Sequence, residues 1–537
     1  GGLVFLKKVF RFQEEINISV PLIAIIGMAA LATFTSYLSL VIPLGGIAVI
    51  VISLGGITIA FLTRLWKNIH FPTYHPLVWI LLIVVFLIVL ENSTHRPTNY
   101  DTTLYHAQTI HWIESYRVVP GLVNIHDRLA FDSSWLVLVA SLSFAFLELH
   151  SFHLTNSVLL LTTMIYFADS FQGLIQKQIT ISNLFKGILF FLPLYLYSSD
   201  ISSPGTDLPP ILLTWVITSL ILEKVEKRSL DFDIYSISIF ILSIFAFTIK
   251  LSTLPLCGLA LLVILQQILN KNWQRSAIIM ATALFVLLPW FLRNIILSGY
   301  LIFPLPQIDL FSFDWRYPLS ATIADQTGTL WFNRFPIDTQ KYVGMTMFQW
   351  VPLWFHQLTG GEKILVLTAL VSPVALPLHF FLNKVQKLST GFLIAFFVNY
   401  IGLFFWLFTA PIIRFGYAYL LSSIILVSLP FISRFTISSI SKPAMVATSL
   451  IILAVLFQFY FLTTTVNLST LPQRAFLPAD YYSSQVWSCP IGNAAFYCAQ
   501  KLGLCSYEAF PCISKPRNNV EMRGASLQDG FRTVQNP

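Results

Sequence analysis

Long apolar runs recur along this chain and are separated by shorter polar segments. Runs such as FILSIFAFTI are continuously apolar, whereas a strand of a membrane barrel alternates apolar and polar residues over roughly ten positions. A helix needs roughly 20 apolar residues to cross a hydrocarbon core, so the pattern predicts an all-α polytopic membrane protein with about 13 transmembrane helices. The predicted spans lie near residues 18–39, 42–63, 75–91, 152–172, 183–199, 208–223, 233–249, 252–269, 277–298, 362–382, 390–410, 413–433 and 444–465.

The composition agrees with this prediction and excludes a soluble enzyme. Hydrophobic residues make up 56% of the 537 residues and charged residues only 10%, whereas a soluble protein carries about a quarter charged residues. The net charge is +8, but many Lys and Arg residues lie in short clusters between apolar runs, where they indicate membrane orientation. We therefore expect membrane lipids around the protein and no nucleic-acid partner.

The cationic clusters predict the orientation, because Lys and Arg are enriched in cytoplasmic loops. The clusters are Lys7/Lys8/Arg11, Arg64/Lys67, Lys177/Lys186, Lys224/Lys227/Arg228, Lys271/Arg275, Lys384/Lys387 and Arg434/Lys442. All of them fall on one side only if the apolar stretch Trp135 to Leu149, which is short for a span, is a juxtamembrane or half-inserted helix. The polar segments 92–134 and 300–345 and the polar tail then share the external side.

This layout divides the chain into four parts. Residues 1–70 are predicted to form extra N-terminal transmembrane helices, and 71–345 a transmembrane module that carries both external loops. Residues 346–466 are predicted to form the C-terminal transmembrane helices, and 467–537 an external tail.

The tail holds most of the cysteines. Four of the five, Cys489, Cys498, Cys505 and Cys512, lie within it, whereas Cys257 lies in an apolar span. Four cysteines in a short polar segment are typical of disulfides in an oxidising compartment. A zinc site is the weaker interpretation, because no C-x-x-C pair occurs. The sequence therefore predicts a small disulfide-containing external segment and leaves the pairing open.

The first external loop is rich in ionisable side chains, with four of the ten histidines and several carboxylates. From Thr102 the sequence has the periodicity of an amphipathic helix, which places Asp101 at a helix N-terminus beside the membrane. Asp101 is then an N-cap, a catalytic group, or both. His106 and His111 are spaced so that a helix would splay them apart, and no H-E-x-x-H occurs. The sequence therefore assigns no metal ligand here.

Four further charged residues lie at the predicted external ends of spans. Asp207 begins one, and its alternative role is again that of an N-cap, with Pro209 just inside the helix. Lys250, Arg293 and Arg414 interrupt apolar sequence. Cations at membrane depth either face a protein interior or water-filled cavity or snorkel to the headgroups. Together these residues suggest a site for an anionic, membrane-borne substrate.

The order of these features resembles the GT-C superfamily of integral-membrane glycosyltransferases. Those families place an acidic motif in the first large external loop, beside juxtamembrane helices, and a second acidic residue in the next external loop. The similar segments here are NYDTTLYH, HDRLAFDSSWLVLV, SPGTDLPP, TIKLSTLPL, LPWFLRNIILSGYLIFPLP and APIIRFGYAYLL. The resemblance covers roughly residues 100–415, and the tail, with CSYEAFPC and NNVEMRGASLQDGF, resembles a group of bacterial membrane proteins without assigned activity.

The resemblance implies an inverting transfer of sugar from a polyprenyl-phosphate carrier to a lipid, glycan or protein acceptor. It implies a bacterial inner membrane location with the site facing the periplasm or exterior. The implied catalytic residues are Asp101 and Asp207, and the implied substrate-binding residues are Tyr105, His106, Lys250, Arg293 and Arg414.

One departure keeps alternatives open. Many family members carry a second carboxylate directly beside the loop aspartate, but Thr102 follows Asp101 here. The cofactor is therefore left open between none and a divalent cation. A non-catalytic subunit of a membrane complex with the same fold is one alternative function. A transporter is another, although the sequence shows no internal repeat of the kind that many transporters have.

Overall fold

The computed structural model describes residues 19–62, 73–144, 154–176, 178, 180–226, 232–377, 389–438, 456–457, 460, 471–476, 481–491, 494–500, 503–517 and 519–534. Within these ranges the protein is mostly helical, with a small strand region near the C-terminus. The first half of the helices comprises α1 Val20–Leu38, α2 Ile47–Leu62, α3 Pro76–Ser93, α4 Ala107–Ser115, α5 Ser134–Ala140, α6 Leu154–Ile175, α7 Ile181–Leu189, α8 Leu192–Leu196, α9 Leu208–Glu226 and α10 Ile234–Ile249. The second half comprises α11 Leu254–Leu269, α12 Trp273–Ser298, α13 Leu319–Arg334, α14 Thr339–Tyr342, α15 Met347–Gln357, α16 Gly360–Val371, α17 Thr390–Thr409, α18 Ile413–Ser438 and α19 Leu471–Phe476.

A membrane protein with several spans is confirmed. Nine helices of the described residues are long and apolar enough to cross a bilayer, and three shorter apolar helices lie at 47–62, 181–196 and 234–249. Each of the first twelve predicted spans therefore has a helix at its position, whereas the thirteenth, 444–465, lies outside the described residues apart from 456–457 and 460. The described part of the stretch predicted to be half-inserted contains α5, which at seven residues is too short to cross.

Helix α9 lies in the middle of the bundle. It is buried along most of its length and packs against α6, α7, α10, α17 and α18. By contrast, α11, α12 and α16 leave most of their apolar surface exposed, as helices that face lipid do. The central position of α9 fixes Asp207, the residue before its first turn, inside the protein.

The connections bring four chain segments to one end of the bundle, which we call the loop end. Helices α9 and α10 are consecutive and packed together, so the start of α9 lies beside the end of α10, where Lys250 follows. Helix α18 begins at the same end and carries Arg414 in its first turn. The fourth segment is a π-helical turn, Thr102–His106, that continues into α4.

The tail forms two small sheets that pack on the loop end. Strands β1 Val486–Ser488 and β2 Tyr497–Ala499 are antiparallel, and β3 Cys512–Ile513 runs parallel to β2. Strands β4 Val520–Met522 and β5 Phe531–Thr533 form an antiparallel pair. The predicted disulfides are confirmed as Cys489–Cys498 and Cys505–Cys512, and Cys257 is free.

The tail contacts both polar loops. Phe531 N–H donates to the Pro120 carbonyl at 2.9 Å, and Arg523 Nε donates to Asp314 Oδ2 at 2.8 Å. The segments predicted to lie on one side of the membrane are therefore part of one packed body at the loop end.

Candidate functional site

Asp101 lies at the start of the π-helical turn and is held there through its backbone. Its N–H donates to Asn99 Oδ1 at 2.9 Å, and Asn99 Nδ2 donates to Asp200 Oδ1 at 2.5 Å. In the next residue, the Thr102 hydroxyl is 2.7 Å from the Ser203 hydroxyl. Within the described part of the chain the Asp101 side chain makes no capping hydrogen bond. Its carboxylate is therefore directed to another partner.

That partner is Arg414, which contacts two carboxylates. Arg414 Nη2 is 3.3 Å from Asp101 Oδ2, and its Nε is 3.3 Å from Asp207 Oδ2. Lys250 Nζ lies 2.5 Å from the other oxygen of Asp207 and 3.6 Å from the centre of the Phe415 ring. Four charged side chains that are distant in sequence thus form one cluster of two carboxylates and two cations, which we call the charged cluster.

The two carboxylates differ in their surroundings. The side chain of Asp207 is only 10% exposed, whereas those of Asp101 and Arg414 are 25% and 43% exposed. Burial alone would raise the pKa of Asp207, but Lys250 and Arg414 outweigh it and hold that pKa below its ordinary value. Asp207 is therefore a fixed anion at the base of the cluster, and Asp101 and Arg414 are open to solvent.

His106 and Tyr105 lie beside the charged cluster. The His106 ring is buried, and neither of its nitrogens has a hydrogen-bond partner among the described residues. Burial lowers the pKa of His106 to about 4, with Lys250 and Arg414 acting in the same direction and Asp101 and Asp207 opposing them. The ring is therefore neutral near pH 7. Burial and the neighbouring Asp101 raise the pKa of Tyr105.

Asp200 belongs to the same environment and was not predicted from the sequence as a site residue. It is buried, and burial together with Asp207 raises the pKa of Asp200 to about 6. The only sequence signal was a second aspartate shortly before Asp207 in SSDISSPGTD, a pattern that is typical of a polar loop. Gly205 in this loop packs so closely that a Cβ would lie 2.9 Å from the Ser203 hydroxyl and 3.4 Å from the His106 ring.

Arg293 does not join the charged cluster. Its Nε donates to Asp132 Oδ1 at 3.0 Å and its Nη1 to the Ser39 hydroxyl at 2.7 Å, and its side chain is only 3% exposed. Trp290 Nε1 donates to the Asp132 carbonyl at 3.2 Å. Arg293 therefore fastens the end of the first polar loop to α1 and α12, whereas its sequence pattern predicted a place beside Lys250 and Arg414.

A small cleft opens next to Asp207, between α9, α18 and the segment 250–253. Its walls include Pro210, Ile211, Lys250, Phe415 and Tyr419. Its lining is mixed, because Thr214, Ser252 and Thr253 lie in it as well. Among the described residues no group of three or more His, Cys, Asp or Glu side chains is arranged to hold a metal ion.

Comparison with known proteins gives one match. A family model described as "Domain of unknown function (DUF8201)" matches residues 2–421, a range that contains the whole charged cluster and ends before the tail. Neither the curated proteins nor the solved structures contain a match to the chain.

Proposed function

Because the chain belongs to the DUF8201 family, whose description states no activity, we propose its function from the charged cluster: a glycosyltransferase that uses a polyprenyl-phosphate sugar. The acceptor is a lipid, glycan or protein hydroxyl. The proposal includes a GT-C-like architecture with about 13 spans, each of roughly 20 residues, in a bacterial inner membrane, with the loop end facing the periplasm or exterior. The observation that carries it is the meeting of Asp101, Asp207, Lys250 and Arg414 at one end of the bundle.

The two cations suit a lipid phosphate. The apolar residues Pro210, Ile211 and Phe415 lie beside Lys250, where they would contact the start of a polyprenyl chain attached to a bound phosphate. The N-termini of α9 and α18 lie at the same end, and helix N-termini favour anions. In the protein alone, Asp101 and Asp207 neutralise the cations. On donor binding Arg414, the more exposed of the two, turns toward the phosphate.

The carboxylates suit the proton transfer. In the inverting step, the acceptor oxygen attacks the anomeric carbon, the bond from that carbon to the phosphate oxygen breaks, and the phosphate leaves on its polyprenyl chain. The acceptor proton passes to Asp101, a base that must lie within hydrogen-bond reach of the hydroxyl. Lys250 and Arg414 stabilise the charge that develops on the leaving phosphate. Asp207 fixes both cations in place.

The test is the Asp101→Asn variant of the full chain in lipid vesicles that contain polyprenyl-phosphate sugars. The amide retains the shape of the side chain but not its basicity, so release of polyprenyl phosphate should fall by roughly 100-fold or more. Expression and membrane insertion should be unchanged. The control is Asp338→Asn, which alters an exposed residue of the second loop.

Three outcomes would count against the proposal. Turnover of Asp101→Asn within a few-fold of wild type would remove Asp101 as the base. Donor binding by the wild type without turnover of any polyprenyl-phosphate sugar would support the non-catalytic subunit. Passage of the lipid across the vesicle membrane without transfer would support a transporter.

A further inference from the structure

The loop closed by the Cys505–Cys512 disulfide lies directly on the helix that begins at Asp101. The Cys505 N–H and the Ser506 N–H both donate to the Thr103 carbonyl, at 3.0 and 2.9 Å. Thr103 lies in the π-helical turn, two residues after Asp101. The tail is therefore hydrogen-bonded to a backbone carbonyl in the turn that follows Asp101, the proposed base. We call residues 505–512 the disulfide loop.

Gln108 makes the next contact, and it uses the whole side-chain amide. Its Nε2 donates to the Ser506 and Ala509 carbonyls, both at 2.8 Å, and its Oε1 accepts from the Cys512 N–H at 3.0 Å. The side chain is buried, so each of these bonds would be costly to leave unmade. One glutamine thus binds the disulfide loop near both of its cysteines.

The contact continues along α4. The His111 ring is stacked between Tyr507 and Phe510, with ring centres 4.5 and 3.9 Å apart. One turn later, the Tyr507 hydroxyl donates to Glu114 Oε2 at 2.5 Å. These residues follow one stripe of the helix, because positions three and four apart share a face.

The start of the same helix is also held from a second direction. The Thr102 hydroxyl bonds to Ser203, and the Asp101 backbone is linked through Asn99 to Asp200. The first turn of a helix lacks part of its backbone hydrogen bonding, so its position depends on such external contacts. The disulfide loop and the segment 200–203 together hold the π-helical turn 102–106 in place.

We infer that the disulfide loop is a positioning element of the proposed transferase site, which keeps the Asp101 carboxylate beside Arg414. The inference rests on the proposed function. It assigns a role to the tail, which lies beyond the residues that the family model matches. The disulfide restricts the loop to the conformation that fits Thr103 and Gln108. Opening it should impair the chemical step, and donor affinity should persist because Lys250 and Arg414 lie on other segments.

The experiment compares two disulfides in the full chain. The test variant is Cys505→Ser/Cys512→Ser. The matched control is Cys489→Ser/Cys498→Ser, which removes the disulfide between β1 and β2. Neither Cys489 nor Cys498 takes part in the hydrogen bonds to Thr103 and Gln108 described above. Gln108→Leu is a second test variant that keeps both disulfides. The measurements are kcat and donor KM for a polyprenyl-phosphate sugar, and hydrogen–deuterium exchange of residues 102–115.

In both test variants we expect faster exchange in 102–115 and a kcat that is lower by roughly 10- to 100-fold, the scale expected for misplacing a catalytic group by about 1 Å. The donor KM should stay within about threefold, and the control should resemble wild type in both measurements. Unchanged exchange and kcat in the test variants would overturn the inference, and so would an equal effect in the control, which would indicate general unfolding of the tail. If the wild type turns over no donor, the proposed function fails, and the exchange data still decide whether the disulfide loop holds the helix.

Discussion

At the scale of single residues, Arg414 connects the two halves of the charged cluster. It contacts Asp101 and Asp207 through different nitrogens. A planar guanidinium has three nitrogens in a fixed arrangement, whereas the ammonium group of lysine has one. A guanidinium can also bind two phosphate oxygens at once. The geometry of this one side chain therefore matters in addition to its charge.

We predict that Arg414→Lys raises the donor KM by roughly tenfold, because a bidentate contact is lost although the charge remains. Arg414→Ala should raise it further. The measurement is donor KM and kcat, or donor binding by itself. Snorkelling to the headgroups would predict a silent lysine variant, so a donor KM equal to wild type would make Arg414 a structural anchor.

Arg293→Lys is the matched control for this prediction. It alters a second arginine at the loop end of a span, but one whose partners are Asp132 and Ser39. We expect it to lower the thermal stability of the protein and to leave the donor KM unchanged. A raised donor KM in this variant would place Arg293 in the substrate site after all.

At the scale of elements, Glu114 is an ionisable residue of α4 that contacts the disulfide loop through Tyr507. Burial raises the pKa of Glu114 from 4.5 to about 7, although hydrogen bonds from Ser143 and Tyr507 act against the shift. The folded protein therefore binds a proton that the unfolded chain releases. This contribution to folding is complete below about pH 4.5 and is lost as the pH rises through about 7; for full exposure of the side chain it amounts to about 3 kcal/mol. Because Tyr507 of the disulfide loop contacts the carboxyl, part of this pH dependence acts on the packing of the tail.

We predict that the tail becomes easier to digest as the pH rises from 5 to 8, and that Glu114→Gln removes this part of the pH dependence. The measurement is the rate at which an added protease cleaves residues 481–534 in each protein. Burial lowers the pKa of His111 on the same helix, so His111 acts in the opposite sense, and the comparison between variant and wild type is the informative one. Identical pH profiles would show that Glu114 does not control docking.

The helices and the charged cluster were predictable from sequence to different degrees. Continuous apolar runs predicted the positions of the helices. Asp207 lies at the start of α9 and Lys250 at the end of α10, and two consecutive antiparallel helices bring these ends together. The contact between Asp101 and Arg414 spans 313 residues, and the sequence predicted only that both residues lie on the external side and serve one site, not that they touch. Arg293 shows why: a cation at the end of a span has the same sequence pattern whether its partner is a substrate or an aspartate 161 residues away.

The tail strands gave no sequence signal for a related reason. Each contains only two or three residues, too few for alternation to be recognised. They are held by two disulfides within the tail and by packing on the loop end, and this packing depends on residues elsewhere in the chain.

At the scale of the whole molecule, the proposed orientation makes a prediction about labelling. In a Cys257→Ser background, Ile337→Cys in the second loop should react with an impermeant maleimide in intact cells. Asn270→Cys, between α11 and α12, should react only after the membrane is permeabilised, because the cationic loops are expected in the cytoplasm. Labelling of both positions from the same side would contradict the orientation.

The bonds of Gln108 to carbonyl groups 398 and 401 residues later have a consequence for biogenesis. At roughly 5 to 20 residues per second, more than about 20 seconds of translation separate the Asp101 helix from the segment that covers it. A nascent chain that stops between Arg414 and Cys505 carries every charged side chain of the cluster, but the helix that follows Asp101 is left uncovered. In the proposed orientation, the export and oxidation of residues 505–512 are late steps in the maturation of the protein, and the supply of oxidising equivalents outside the membrane is one of the factors that set the amount of finished protein.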